Sequence, residues 1–109
     1  MTNYGEMEVL MKKSLHITIQ GLDQPKVFLE ALKIRLGKTS AEGVACAVSV
    51  DTVEIEIVGD KDSVDDVLGI LDTAVFFEQK RSSTHIQVKA EPLVPQDNYR
   101  GVLRFVMPH

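Results

Sequence analysis

Two histidines and two glutamates are the side chains of this sequence best suited to chemistry. His16 and His85 each lie at an alternating position of a strand-like run, and Glu54 and Glu56 do the same in a third run. Side chains two residues apart in a strand point to the same face of a sheet, so neighbouring strands could bring the four groups together. Such a cluster could bind a divalent cation or prepare a histidine for proton transfer. The same predicted face carries Thr18 and Gln87.

This face has two other interpretations, a solvated sheet surface with cross-strand charge pairs and a polar subunit interface. The sequence shows no nucleophile beside a base, no glycine-rich phosphate cradle and no paired buried carboxylates around these residues. A non-catalytic role is therefore the leading prediction, with no cofactor and no metal. A metal-dependent or acid/base enzyme using the His/Glu group is the alternative.

Two motif-like stretches do not meet the requirements of the sites they resemble. Gly37-Lys38-Thr39 matches the end of a P-loop, but the preceding glycine is missing and the flanking elements come in the wrong order. The acidic run 60–66 has Val64 and Asp65 where a calcium loop needs an oxygen ligand and a glycine. Capping of a helix N-terminus explains this run without a metal.

The elements that would position the face follow from two periodicities. Alternating patterns predict strands at 15–20, 44–50, 53–58 and 84–90, and Val102–Met107 is a further apolar run. Spacing near 3.6 predicts helices from Pro25 to about Leu36 and from Asp62-Ser63 to about Lys80. In the second strand we expect Val44, Cys46, Val48 and Val50 to point inward. Asp51-Thr52 reads as a tight turn, and Ser63 with Asp66 as a capping box.

The order strand, helix, strand, strand, helix, strand predicts a ferredoxin-like α+β fold. Both helices should cover one face of an antiparallel sheet with spatial order 4-1-3-2, to which terminal strands can be added. The chain of 109 residues is predicted to form a single domain. Residues 1–13 form an arm or strand, residues 14–91 the βαββαβ core, and residues 92–109 a tail with a strand.

Composition restricts the class of partner. The net charge is −4, which disfavours nucleic acid because a binder of long nucleic acid needs a broad basic surface. A single cysteine and no signal-peptide pattern predict a cytoplasmic protein, and no apolar run is long enough for a membrane span. The identity of any small-molecule ligand is unknown from the sequence.

The stretch from Val48 to Leu71 resembles KH-like sequences and the small dimeric subunit of the KEOPS tRNA-modification complex. The similarity lies in a strand pair, a Gly-Asp turn and an amphipathic helix with acidic capping residues. A further alternative is an RNA-associated subunit of a larger complex. That function would need six basic residues to converge on one patch. They are Lys33, Arg35, Lys38, Lys80, Arg81 and Lys89.

Phe76 and Phe77 suggest a partner. Phe76 lies well off the apolar stripe of the second helix and Phe77 lies beside it. They either pack under the C-terminal tail or are buried in an oligomer. We predict a homo-oligomer, with a dimer favoured, and a small non-catalytic binding or interaction module as the function.

Overall fold

The computed structural model describes residues 12–93 and 102–106. Its elements are β1 (Lys12–Gln20), α1 (Pro25–Arg35), β2 (Glu42–Ala47), β3 (Thr52–Asp60), α2 (Lys61–Arg81), β4 (Gln87–Pro92) and β5 (Leu103–Val106). The five strands form one sheet in the order β4-β1-β3-β2-β5. The ferredoxin-like prediction is confirmed, with β1 inside the sheet between β4 and β3, and β5 added as an extra strand parallel to β2. The predictions for residues 1–11, 94–101 and 107–109 lie outside the described residues.

The core lies between the sheet and the two helices. Alternate residues of β1 and β3 point to the helices, and the apolar side chains of the helices point to the sheet. This follows from the period of 2 in the strands and of 3.6 in the helices. Each of these positions is at most 1% exposed: Ile17, Ile19, Ile55, Ile57, Leu29, Leu32, Val64 and Val67. Burial of one such side chain stabilises the fold by about 1.5–3 kcal/mol. The opposite face of the sheet carries no helix in the described residues.

The predicted orientation of β2 is wrong. Ala45 is fully buried, whereas Val48 and Val50 are 46% and 90% exposed, and Cys46 lies on the open face opposite Glu54. Both sets of alternating residues in this strand are apolar, so the sequence pattern did not fix its face. Helix α1 packs against β2, and a small residue such as Ala45 permits that close approach.

The start of α2 also differs from the prediction. Asp60 is the N-cap: its Oδ1 accepts the backbone N–H of Ser63 at 2.8 Å, and its Oδ2 accepts the Ser63 hydroxyl at 2.9 Å. The capping pair is therefore Asp60 with Ser63 rather than Ser63 with Asp66. An aspartate caps as well as a serine does, and Asp60 lies in the extended conformation that an N-cap needs.

The starts of β3 and β4 also differ from the prediction. The β2–β3 turn spans residues 48–51 and is closed by the bond from the Val48 N–H to the Thr52 carbonyl, so Thr52 belongs to the strand. β4 begins at Gln87 rather than Thr84, because Thr84 instead donates its hydroxyl to the Gly21 carbonyl. This shift moves His85 out of the sheet.

Candidate functional site

The open face of the sheet brings together part of the predicted cluster. His16 Nε2 lies 3.2 Å from Glu54 Oε1, and both side chains are about one-third exposed. In the strand register, His16 is opposite Glu56 on β3 and Glu91 on β4. Thr18 lies between Glu54 and Lys89. One imidazole is thus surrounded by three carboxylates on two neighbouring strands.

His85 does not join this group. It precedes β4, and the residue of β4 opposite His16 is Glu91. Six residues of strand separate the two positions, which is about 20 Å. Gln87 lies opposite Gln20, also toward the far end. Among the described residues, no group of three or more His, Cys, Asp and Glu side chains is placed to hold a metal ion.

The charge of the open face is mainly negative. Burial raises the pKa of the Cys46 thiol, and the nearby Glu54 and Glu56 carboxylates raise it further. This thiol therefore stays protonated and is a poor nucleophile. The Lys89 ammonium donates to Glu91 at 2.9 Å and lowers the pKa of that carboxyl. An anionic substrate would meet repulsion here.

The helix layer has a narrow groove with a different character. It lies between the end of α1, the loop that follows, and the start of α2, and its volume is about 220 Å³. Arg35 and Lys38 line it, opposed by a single carboxylate, Asp66. Three hydroxyl side chains also face it: Thr39, Ser40 and Ser63. Cations and hydroxyl donors together are the groups that bind phosphate oxygens.

The hydroxyls of the narrow groove are held in a defined arrangement. Ser63 donates to Asp60, so its oxygen accepts from the Ser40 hydroxyl, which lies within hydrogen-bond distance. Thr39 Oγ1 accepts the backbone N–H of Ala41 at 3.2 Å and keeps its own proton available. The Asp60 contacts, first the Ser63 N–H and then its hydroxyl, lower the pKa of that carboxyl. The Asp60–Ser63–Ser40 chain therefore fixes this wall at neutral pH.

The N-terminus of α1 is a second place with free donors. Gln24 makes no side-chain cap, and the first turn contains no acid. However, this end of α1 has one cation in its first turn, Lys26, and two carboxylates at the preceding loop: Asp23 belongs to the loop, and Asp51 bonds to Gly21 and Leu22 of it. Asp51 accepts first from the Thr52 hydroxyl, then from Ser49, and also from the Gly21 N–H, all of which lower its pKa. Two carboxylates for one cation disfavour an anion, whereas the lining of the narrow groove has two cations and one carboxylate, Asp66, with Asp60 further back behind Ser63.

Phe76 and Phe77 lie on the surface of α2. They are 56% and 50% exposed, with ring centroids 5.7 Å apart in an edge-to-face arrangement. Lys80 Nζ lies 4.6 Å from the centre of the Phe76 ring. Packing under the tail is not observed within the described residues.

The basic residues that an RNA-binding function would require do not converge. Arg35 and Lys38 lie at the narrow groove, whereas Lys80 and Arg81 are in the last turn of α2. Lys89 is on the open sheet face with Glu91. Within the described residues, no helix combines the length and apolarity that crossing a bilayer requires.

No protein-family model matches the sequence, and a search of curated proteins also finds no match. Solved structures match the fold. An acylphosphatase from Coxiella burnetii aligns with a TM-score of 0.62 and 18% identity, covering 91% of this chain and 97% of that one. The acylphosphatase from Bacillus subtilis aligns with a TM-score of 0.59 and 18% identity, covering 88% and 99%.

A third solved structure matches the fold with a lower TM-score. BlsA in its photo-activated state has a TM-score of 0.52 and 14% identity, covering 91% of this chain and 71% of that one. At these identities the similarity shows an acylphosphatase-like, ferredoxin-like fold. Function must then come from the site rather than from the fold.

The comparison corrects the predicted function. The chain was expected to be a non-catalytic oligomeric binding module. However, the two solved structures with the higher TM-scores are acylphosphatases, which are enzymes, and the chain matches them over nearly their whole length. The prediction was based on single strands and motifs, and these do not show which solved structures the complete fold resembles. The narrow groove is built by a helix end, a loop and a second helix.

Sequence analysis missed the residues of this groove. Thr39 was considered only as part of a P-loop, Lys38 as part of a P-loop and of the basic set for RNA binding, and Arg35 as a member of that basic set. One local signal was available, since a basic helix end followed by Lys-Thr-Ser concentrates donors in a short loop. No local pattern shows that the start of α2 lies beside that loop.

Proposed function

We propose that this protein hydrolyses acyl phosphates, with the narrow groove between α1 and α2 as its phosphate-binding site. The groove is the main support, because it has two cationic side chains and three hydroxyls. The acylphosphatase-like fold, which extends over nearly the whole chain, supports the same class of reaction. Neither the open sheet face nor the α1 N-terminus has an excess of cations.

The reaction needs little covalent help from the protein. An acyl phosphate is a mixed anhydride whose leaving group is a carboxylate, so the main requirement is stabilisation of phosphoryl charge and a positioned water. The water oxygen bonds to phosphorus while the bond from phosphorus to the acyl oxygen breaks. The products are a carboxylate and inorganic phosphate, which retains the protons of the water.

Each side chain of the groove has a role in this proposal. Arg35 and Lys38 bind the phosphoryl oxygens and offset their charge as the transition state develops. Thr39 donates a hydrogen bond to the same oxygens, while Ser40, whose proton is donated to Ser63, keeps the wall of the groove in place. Asp66 repels the bound phosphate but accepts a hydrogen bond from the attacking water and so orients it. Phosphate binding and turnover therefore respond differently to a change at Asp66.

The direct test is hydrolysis of benzoyl phosphate or acetyl phosphate by the purified protein. Arg35→Gln and Lys38→Gln should each lower kcat/KM roughly 10- to 150-fold, because a charge-assisted hydrogen bond contributes about 1.5–3 kcal/mol. Lys33→Gln is the matched control, since Lys33 is also in the last turn of α1 but lines a different groove. Wild-type rates no faster than spontaneous hydrolysis would refute the function.

Two further variants locate the site. Asp66→Asn should tighten binding of inorganic phosphate while lowering kcat, a combination that general loss of folding does not produce. Lys26→Gln tests the α1 N-terminus and should leave kcat/KM within twofold of wild type. If Lys26→Gln abolishes activity and Arg35→Gln does not, the phosphate binds at α1 and the groove assignment is wrong.

We also propose that the protein works in the cytoplasm, because its single cysteine has no second cysteine with which to form an intramolecular disulfide. Fractionation of cells that express the tagged full chain tests this. Recovery in a membrane or secreted fraction would contradict it.

A further inference from the structure

An exposed stripe along α2 has the spacing of a helix-pairing surface. From the N-terminus of the helix to its C-terminus, six exposed residues follow one another at alternating intervals of four and three residues. This is the heptad spacing at which one face of a helix meets another helix. We call these residues the α2 seam: Asp62, Asp66, Gly69, Thr73, Phe76 and Lys80.

The middle of the seam contains a glycine that the fold does not explain. Gly69 lies in the interior of a 21-residue helix, where glycine is unfavourable. A Cβ added at Gly69 would meet no atom within 4 Å. The close neighbour that usually accounts for a helical glycine is therefore absent among the described residues, and a second helix packed on this side would supply it.

We propose that α2 packs antiparallel against α2 of a second copy of this chain, with Gly69 beside the point where the helices cross. The seam is self-complementary in that orientation, because its positions pair symmetrically about residue 71, the midpoint of Lys61–Arg81. Gly69 then faces Thr73 of the second copy, and Asp66 faces Phe76. At the ends, Asp62 faces Lys80.

Charge selects the antiparallel orientation. The N-terminal half of the seam carries Asp62 and Asp66, and the C-terminal end carries Lys80. A parallel pair would place like charges together, whereas an antiparallel pair places the ammonium of each copy beside the carboxylates of the other. Because the pairing is isologous, one patch forms both sides and the assembly closes as a dimer.

In this arrangement, Phe76 of each copy also lies at a groove on the other copy. Asp66, Gly69 and Thr73 of the seam line a wide, open groove of about 520 Å³, together with Arg35, Asp65 and Ile70. The Phe76 ring of the second copy enters this groove beside Gly69 and Thr73. The stacking between Lys80 and Phe76 within one chain keeps the ring and the ammonium together as one unit. The association therefore removes from water an aromatic side chain that is otherwise 56% exposed.

The first test is the mass in solution, measured by light scattering after size-exclusion chromatography. The wild-type chain should have the mass of a dimer, and Phe76→Glu should shift it to the monomer. Phe77→Glu is the matched control, because Phe77 is equally exposed on the same helix but lies off the seam. A monomeric wild type, or equal loss of dimer in the two variants, would overturn the proposal.

The second test reports orientation. In a Cys46→Ser background, Gly69→Cys protein mixed with Thr73→Cys protein should form a disulfide-linked heterodimer under mild oxidation. Each variant alone should cross-link at least tenfold more slowly. Preferential cross-linking of Gly69→Cys with itself would indicate a parallel pair and overturn the antiparallel one. Circular dichroism of both variants checks that α2 remains helical.

Discussion

Replacing Gly69 by alanine should stabilise the isolated chain and weaken the dimer proposed above. The change adds one methyl group at an exposed position in the interior of α2, where nothing lies within 4 Å of the new atom. Alanine is about 0.8–1.0 kcal/mol more favourable than glycine at such a position. The bond from the Thr73 hydroxyl to the Gly69 carbonyl uses only the backbone of residue 69, so it remains.

The expected shift in Tm follows from the size of the chain. An unfolding entropy of about 2.1 cal/mol/K per residue gives roughly 230 cal/mol/K for this protein, so about 1 kcal/mol raises Tm by roughly 4 °C. The same methyl group enters the crossing of the two helices and forces them apart. We therefore expect the dimer dissociation constant to rise tenfold or more.

The two effects separate with protein concentration, because association adds stability only when the dimer is populated. Urea unfolding at low concentration should show the gain for Gly69→Ala. At high concentration the gain should shrink or reverse. Asp72→Ala, on the same helix but off the seam, is the control and should leave association unchanged.

Two outcomes would refute the reasoning. Loss of stability at low concentration would mean that Gly69 is needed within the chain itself, against the open space around it. A dissociation constant unchanged by the methyl group would mean that the helices do not cross at residue 69.

The other predictions concern the sheet, the α2 cap and the location of the site. Ala45→Leu should destabilise the fold by about 1–3 kcal/mol in urea titrations, because Ala45 is fully buried. Cys46→Val on the open face should have little effect. A large loss for Cys46→Val and none for Ala45→Leu would support the sequence-based orientation of β2. The free energy of unfolding should decrease as pH falls below about 4. Contacts with Ser63 lower the folded-state pKa of Asp60 below its unfolded value. The stabilisation by this carboxylate is therefore present above the unfolded pKa and is lost when the folded protein is protonated. Asp60→Asn should flatten this part of the pH profile, and an unchanged slope would show that Asp60 does not cause it. His16→Ala should leave acyl phosphate hydrolysis within twofold of wild type, since His16 is on the opposite face of the sheet from the helices, and a large loss would move the site to the open face.

The sequence by itself determined the class of fold. Strict alternation in β1 and β3 and helical spacing in α1 and α2 gave the element order, since these patterns report which side of each element is apolar. The chain direction of the crossovers then placed both helices on one face. His16 and Glu54 were also correctly expected to share a surface, because their strands alternate without ambiguity.

Only the tertiary structure decided the rest. β2 is apolar on both faces, so its orientation depended on the packing of α1 against Ala45 rather than on its own pattern. His85 left the face because Thr84 bonds to the Gly21 carbonyl, a contact between residues 63 positions apart. The narrow groove joins Arg35 and Lys38 to Ser63 across two elements. Local periodicity carries no information about such contacts, because they depend on how complete elements pack together.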